Sequence, residues 1–421
     1  YYYCPDCGWP LCAPRCKSSS THQAECSLMK GKFFQTQITQ HSPPKKESAY
    51  CTIMPIRCLL LPPDKLKQLL QLESHLEKRR NTTLYKALEV NVVGFVRECL
   101  GLKDFDEETI LRIAAILDTN AFEVRRSAGN VRIRGLYLQA AMLSHDCRPN
   151  TKHHFAGDDF TLVLTATRDI KRGDVVSATY TQTLWGTPAR RAHLLETKCF
   201  NCTCERCSDP AEFDTYLSCI LCSKCKGYVV CSDPLDKASD WMCQNCSHKI
   251  TARQMLQGNE TFRKELEGVE KSVSELESLI HRYLEDPSVF HERNYHIVQA
   301  KHALSQLYGA MLTELSDKQL INAENLCREL LALGDILDPG LSRFRGSLLY
   351  DLQAVKVVMT KRQFENKQIT KDEAQETMKE VLDILQQATQ ILSNEPDLAY
   401  LIQHRVQELA DMCSNEATNA L

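Results

Sequence analysis

The chain has 421 residues, enough for two or three domains, with a formal net charge of -3 and 21 cysteines. The near-neutral charge and the lack of a basic stripe argue against a dedicated nucleic-acid binder, and no apolar run approaches the ~18 residues of a membrane span. No N-terminal signal-type segment supports a secreted disulfide framework, and the thiols recur as Cys-x2-Cys or close variants, the spacing of zinc sites in a reducing compartment, nucleus or cytoplasm.

In chain order, residues 1–30 are cysteine-dense and too short for an apolar core. A polar linker, Ser42-Pro43-Pro44-Lys45-Lys46-Glu47-Ser48, follows within a 31–118 region that turns helical. Pro62-Pro63 start a helix predicted to run from Asp64 to Asn81 on Leu66, Leu69, Leu70, Leu72 and Leu76. Lys78-Arg79-Arg80 at its end suits the helix dipole. A second helix is expected over 106–118. The 119–185 region is β-rich: Phe160–Thr167 and Val175–Tyr180 read as strands, with Lys171-Arg172-Gly173-Asp174 as a turn between them in a hairpin-type arrangement. Within 186–250, residues 199–246 are cysteine-rich again. Over 251–421 the pattern is helical: one stripe on Phe262, Leu266, Val269, Val273, Leu276 and Ile280, another on Ile297, Leu304, Leu307, Tyr308 and Met311. Pro339-Gly340 interrupts it before Leu348, Leu352, Val355 and Met359, and two further helices are expected at about 371–393 and 397–414. Paired helices of this length suggest a helical-hairpin array, without a strict 34-residue period.

Three cysteine groups stand out. Cys4-x2-Cys7, Cys12-x3-Cys16 and His22-x3-Cys26 supply six ligands, where two ions need eight. Cys202-x-Cys204-x2-Cys207 needs a fourth ligand, and the obvious donor is Cys147. Cys222-x2-Cys225 and Cys243-x2-Cys246 make a self-contained Cys4 site, with Cys219 and Cys231 nearby as thiols able to substitute. Cys51, Cys58, Cys99, Cys199, Cys327 and Cys413 read as small buried residues. All three sites are closed and structural, with no open coordination position for zinc hydrolysis.

Ser144-His145-Asp146-Cys147-Arg148-Pro149-Asn150 is similar to the Asn-His-Ser-Cys-x-Pro-Asn signature of SET domains. Thr119-Asn120-Ala121-Phe122 resembles the short strand at the cofactor site, and Ile170-x2-Gly173-Asp174 with Ala178-Thr179-Tyr180 resembles the next SET motif. Arg190-Arg191, Cys199-Phe200 and the Cys202/Cys204/Cys207 set look like a post-SET region. With a MYND-type finger ahead and helical hairpins behind, the order resembles the SMYD family of SET-domain protein methyltransferases. The third cluster and Leu217–Pro234 look most like its insect branch.

The resemblance implies an α+β fold: a SET β-pseudoknot, an incomplete N-terminal MYND zinc finger, post-SET zinc clusters and a C-terminal all-α, TPR-like domain. It implies S-adenosylmethionine and three or more Zn2+ ions as cofactors, and the lysine of a histone or other protein as substrate. Tyr180 would be the catalytic tyrosine; Asn120, Ala141, Ser144, His145 and Phe200 would line the cofactor pocket; Phe122 and Lys198 would line the lysine channel. Cys4, Cys7, His22 and Cys26 would form one MYND site, and Cys12 and Cys16 half of the other, its remaining pair expected upstream of Tyr1. A Gly-x-Gly strand is expected upstream as well. A proline-rich peptide would be the partner at the MYND finger, with no membrane contact and no direct nucleic-acid binding. The chain departs from the family where Ser144 replaces an Asn and Lys198 an aromatic. These departures support an alternative, a SET-fold scaffold of weak or no activity that binds partners through the finger and the helical domain.

Overall fold

The computed structural model describes residues 2–30, 52–125, 132–157, 159–285, 290–395 and 398–414. The 42–48 linker and Cys51 lie outside the described residues, as do the side chains of Cys99 and Cys413. The architecture is α+β, and the chain divides into two compact units.

The first unit holds the N-terminal 124 residues, Arg132–Met142 and Thr197–Cys199. Strands β1 (Tyr2–Tyr3) and β2 (Pro10–Leu11) pair antiparallel and precede helix α1 (Ser20–Met29). Helices α2 (Ile53–Leu59), α3 (Pro63–Leu69), α4 (Leu76–Arg79) and α5 (Thr83–Leu88) follow, then a π-helical stretch Glu89–Cys99 and helix α6 (Glu107–Asn120). Asp106 caps α6 by accepting from Thr109 N at 2.8 Å. Strand β3 (Phe122–Arg125) pairs with β4 (Arg132–Gly135). Met29, Ile56, Leu69, Val96, Ile110 and Ile116 meet in one buried core.

The sequence predicts one helix over 64–81, but the structure has two. Leu70–His75 break the run, and His75 sits in the left-handed region at φ 52°. Arg79 turns inward, 2% exposed, and its guanidinium donates to Asp118 Oδ2 (2.9 Å), Thr119 Oγ1 (3.0 Å) and Thr197 O (3.0 Å). A buried, multiply bonded arginine takes the place of the exposed helix-end cation that the Lys78-Arg79-Arg80 run suggests.

In the second unit, β5 (Ser144–His145) pairs parallel with β8 (Ser177–Ala178), while β6 (Thr151–Ala156) and β7 (Thr161–Ala166) form the antiparallel hairpin. The β7 partner is therefore the upstream strand, not Val175–Tyr180 as the sequence suggests. Gly157, at φ 66°, lies in the connection between β6 and β7. Helices α7 (Thr187–Lys198) and α8 (Glu205–Ser208) lead to a four-stranded antiparallel ribbon, order β12-β11-β10-β9, from β9 (Ile220–Leu221), β10 (Tyr228–Cys231), β11 (Trp241–Cys243) and β12 (Lys249–Ile250).

Helices α9 (Ala252–Gly268), α10 (Val273–Glu285), α11 (Tyr295–Ala310), α12 (Asp317–Leu337), α13 (Arg343–Glu365), α14 (Lys371–Leu392) and α15 (Ala399–Ser414) complete the chain. The stripe over 262–280 is split between α9 and α10. Capping boxes Thr251/Gln254, Ser316/Gln319 and Thr370/Glu373 set the starts of α9, α12 and α14. Leu184 and Leu217 from the β-rich part share one buried cluster with Tyr295, Val298, Leu330 and Leu337. Gly340 runs so close to the β6–β7 layer that an added Cβ would stand 2.0 Å from Thr167 O, which accepts from Leu341 N at 2.9 Å.

Candidate functional site

Three groups of thiol and imidazole atoms converge, each with ligand atoms within 4.8 Å of one another: Cys4/Cys7/His22/Cys26, Cys147/Cys202/Cys204/Cys207 and Cys222/Cys225/Cys243/Cys246. A tetrahedral ion with Zn–S of about 2.3 Å holds its sulfurs about 3.8 Å apart. Observed separations of 3.8 Å (Cys4–Cys26), 3.6 Å (Cys147–Cys207), 3.6 Å (Cys222–Cys246) and 3.4 Å (Cys225–Cys243) fit that cage. Cys12 and Cys16 stand 2.8 Å apart, with no third ligand close by among the described residues. Cys58, Cys219, Cys231 and Cys327 are buried outside the clusters, whereas Cys199 is only partly buried.

Each cluster has its own supporting chemistry. At the first, His22 Nδ1 lies 3.2 Å from Glu25 Oε1, leaving Nε2 for the metal side, 3.8 Å from Cys7 Sγ. Glu25, 1% exposed, is held in turn by Arg57 Nε at 2.8 Å. A carboxylate behind a histidine fixes its tautomer and raises its basicity as a ligand. At the third, Lys224 N and Asn245 N each donate to a thiolate, Cys222 and Cys243, both at 3.4 Å. The turns after the two pairs pass through positive φ at Lys226 (61°) and Ser247 (54°), so each Cys-x2-Cys is a local knuckle.

The second cluster is backed by charge. Arg190 on α7, 0% exposed, donates through Nε to Cys147 Sγ (3.2 Å) and through Nη2 to Cys207 Sγ (3.6 Å). Its Nη1 bonds Glu212 Oε2 at 2.7 Å, and Arg206 Nε reaches the same oxygen at 3.2 Å. Ser218 Oγ and Thr187 N also donate to Glu212. A tetrathiolate zinc site carries net negative charge, and a guanidinium on two of its sulfurs offsets it. This Arg-Glu-Arg triad escapes sequence reading. The Arg190-Arg191 pair was visible, but nothing local marks Glu212 as its partner.

Around this cluster lies the signature run. Asn150 locks it to the 175–178 segment: Nδ2 donates to Val175 O (2.8 Å), and Oδ1 accepts from Ser177 N (2.8 Å). Asp146 N donates to Ala178 O at 3.1 Å, and Thr151 Oγ1 to Ser177 O at 2.8 Å. His145 Nδ1 accepts from Tyr180 N at 3.0 Å, and its Nε2 faces Cys147 Sγ at 3.3 Å. Its ring lies 5.1 Å from that of Tyr180 and 5.8 Å from that of Phe200. Burial lowers the His145 pKa to about 4, which leaves the imidazole neutral. The Tyr180 hydroxyl donates to Leu143 O, and burial raises its pKa. Ser144, His145, Asp146, Asn150 and Phe200 share a groove of about 680 Å³.

The first unit carries the other expected site residues. Asn120 ends α6 instead of opening a strand, because its Nδ2 donates to Ile116 O and to Glu73 O, both at 2.8 Å. Phe122 opens β3 and meets the Tyr137 ring edge-on at 5.9 Å. Ala141 lies in the 3-10 turn Ala140–Met142 and packs against the first unit's core. Lys198 Nζ donates to Thr119 O at 2.6 Å; burial lowers its pKa, while Asp118 opposes that shift.

A parallel bridge between the signature run and the strand before Tyr180, closed by a four-cysteine cluster, defines a SET-type domain with a post-SET zinc site. No family model matches the chain. Against curated proteins, it is 32% identical over 250 residues to "SET domain-containing protein SmydA-8, isoform B" of Drosophila melanogaster, covering 58% of this chain and 53% of that protein. Human "N-lysine methyltransferase SMYD2" is 27% identical over 150 residues, covering 35% of this chain and 34% of that protein. Human "Histone-lysine N-methyltransferase SMYD3" is 38% identical over 73 residues, covering 17% of each chain. The chain is thus similar to proteins of the SMYD family over part of its length. It spans about half the length of the SmydA-8 relatives. Among the described residues no helix is long and apolar enough to cross a membrane.

Proposed function

We propose that the chain belongs to an S-adenosylmethionine-dependent protein-lysine methyltransferase. The observation that carries this reading is the Tyr180–His145–Phe200 arrangement beside the Cys147 cluster. Two of the relatives, human SMYD2 and SMYD3, are named as lysine methyltransferases. When bound, S-adenosylmethionine supplies the methyl group on its sulfonium.

The chain's own residues position and shield. The Leu143 carbonyl fixes the Tyr180 hydroxyl, so the phenol presents a set oxygen without reorganisation. Phe200 offers an apolar face for the adenine, and Ser144 polar atoms for the amino-acid end. Cys147, Cys202, Cys204 and Cys207 would hold a metal ion that ties the segment carrying Phe200 to the signature run. Asn120, Ala141, Phe122 and Lys198 are assigned the remaining pocket and channel positions. The Lys198 ammonium is already bonded to Thr119 O. An apolar channel would favour the neutral form of the substrate amine. Zinc is the metal of all three clusters, and a proline-rich peptide is the proposed partner at the N-terminal finger. Nucleus or cytoplasm is the compartment.

Calorimetric titration of the protein with S-adenosylmethionine, followed by transfer of a labelled methyl to candidate proteins, tests this. Binding and transfer are expected, and Tyr180→Phe should lower the rate at least tenfold with zinc content unchanged. Absence of both binding and transfer refutes the enzyme. Ser144 and Lys198, at positions where the family carries an Asn and an aromatic, favour a second reading, a binding scaffold; cofactor binding without transfer would support it.

A further inference from the structure

A second cavity, of about 420 Å³, lies in the second unit where α7, the ribbon and α9 meet. Its size falls within the range of small-molecule sites. Pro188, Ala192, Leu195, Pro234, Met255 and Leu256 give it mainly apolar walls. Leu195 and Leu256 remain 45% and 71% exposed at its edge and carry the apolar wall out to the rim.

The charged groups of the lining are asymmetric. Each of its carboxylates is already satisfied by local donors. Glu212 lies between Arg190 and Arg206; Asp209 accepts from Ala211 N (2.9 Å) and Phe213 N (2.6 Å); Asp236 accepts from Ala238 N (2.9 Å). The cations are not so committed. Arg191 spends Nη1 on Pro234 O, while its buried Nε has no hydrogen-bond partner among the described residues. Arg253 and Lys237 stand exposed in the lining, and neither forms an ion pair among the described residues. An unpaired buried guanidinium nitrogen costs free energy that an acceptor in the cavity would recover.

We propose that this cavity binds a small apolar carboxylate, with its chain against Met255 and Leu256 and its carboxylate on Arg191. The cavity shares only Asn201 with the lining of the groove at Ser144–Asn150, and the proposal does not depend on methyl transfer. Decanoate is a suitable probe, titrated calorimetrically into the zinc-replete chain with decanol as the uncharged control. Decanoate should bind in the micromolar range and decanol at least tenfold more weakly. Arg191→Met should weaken decanoate about tenfold, the loss of one charge-assisted contact, with circular dichroism and zinc content unchanged. Should Arg191→Met fail to fold, Leu256→Glu decides: the position is solvent-facing, and a negative charge at the rim should weaken decanoate at least fivefold. Equal affinity for decanol and decanoate, unchanged affinity in both variants, or no binding of decanoate at millimolar concentration each overturns the proposal.

Discussion

Removing the charge of Glu212 isolates the energetic core of the post-SET region. Arg190, Arg206 and Glu212 are 0%, 1% and 1% exposed, and one carboxylate serves both guanidinium groups. Burial raises the Glu212 pKa, but the pull of Arg190 and Arg206 outweighs it, so the net shift is downward and the group is ionised. Glu212→Leu leaves two buried cations facing each other without a counter-charge. Breaking a buried pair typically costs about 3–5 kcal/mol, a large share of the ~5–15 kcal/mol that holds a domain. With two cations orphaned, the upper end is expected. Glu212→Gln keeps an acceptor oxygen and should cost less, about 2–3 kcal/mol. Replacing all three residues by Leu and Met removes the charges together and should recover most of the loss in stability. It also strips Nε and Nη2 from the Cys147 and Cys207 thiolates, so zinc should leave faster. Guanidinium unfolding at saturating zinc, followed by circular dichroism, reads the first effect; transfer of zinc to a chromophoric chelator reads the second. A Glu212→Leu cost below about 1 kcal/mol would refute the reasoning, because it would mean water or another group compensates the two arginines.

The remaining predictions concern other parts of the chain. Elemental analysis of the purified chain should find three zinc ions, and Cys147→Ser should lose one of them; an unchanged count would remove Cys147 from the ligand set. Glu25→Ala should weaken zinc at the first cluster about 10–100-fold through the freed His22 ring, measurable by chelator competition. Asp351 has its pKa raised to about 7 by burial. Its folded carboxyl keeps a proton that the unfolded chain releases near pH 4, so stability is full below that pH and is lost as pH rises through 7. The loss is on the order of 4 kcal/mol at most; Asp351→Asn should flatten the Tm profile between about pH 4 and 7. Gly340→Ala should destabilise strongly, since φ is 86° and Thr167 O occupies the Cβ position; a Tm within a degree of wild type would contradict that geometry.

What could be read from the chain alone was local chemistry. A Cys-x2-Cys pair closes its own knuckle through an N–H two residues on, as Cys222 and Cys243 do, so spacing alone announces a metal cage. Apolar stripes likewise act within a turn or two, which is why the helix expected at about 371–393 is found at Lys371–Leu392. The SET resemblance brought Cys147 to its three distant partners, because the motif carries a long-range contact in its order. Tertiary structure decided the rest. It chose β6 over Val175–Tyr180 as the β7 partner, because the two-residue parallel bridge at Ser177–Ala178 already engages that segment. It turned Arg79 inward onto Asp118 and brought Arg190 to both Glu212 and the thiolates. It also left a partnerless Nε on Arg191 inside an apolar cavity. Each of these depends on groups tens to hundreds of residues apart meeting out of water, where the cost of an unpaired charge is high and no local pattern records which partner meets it.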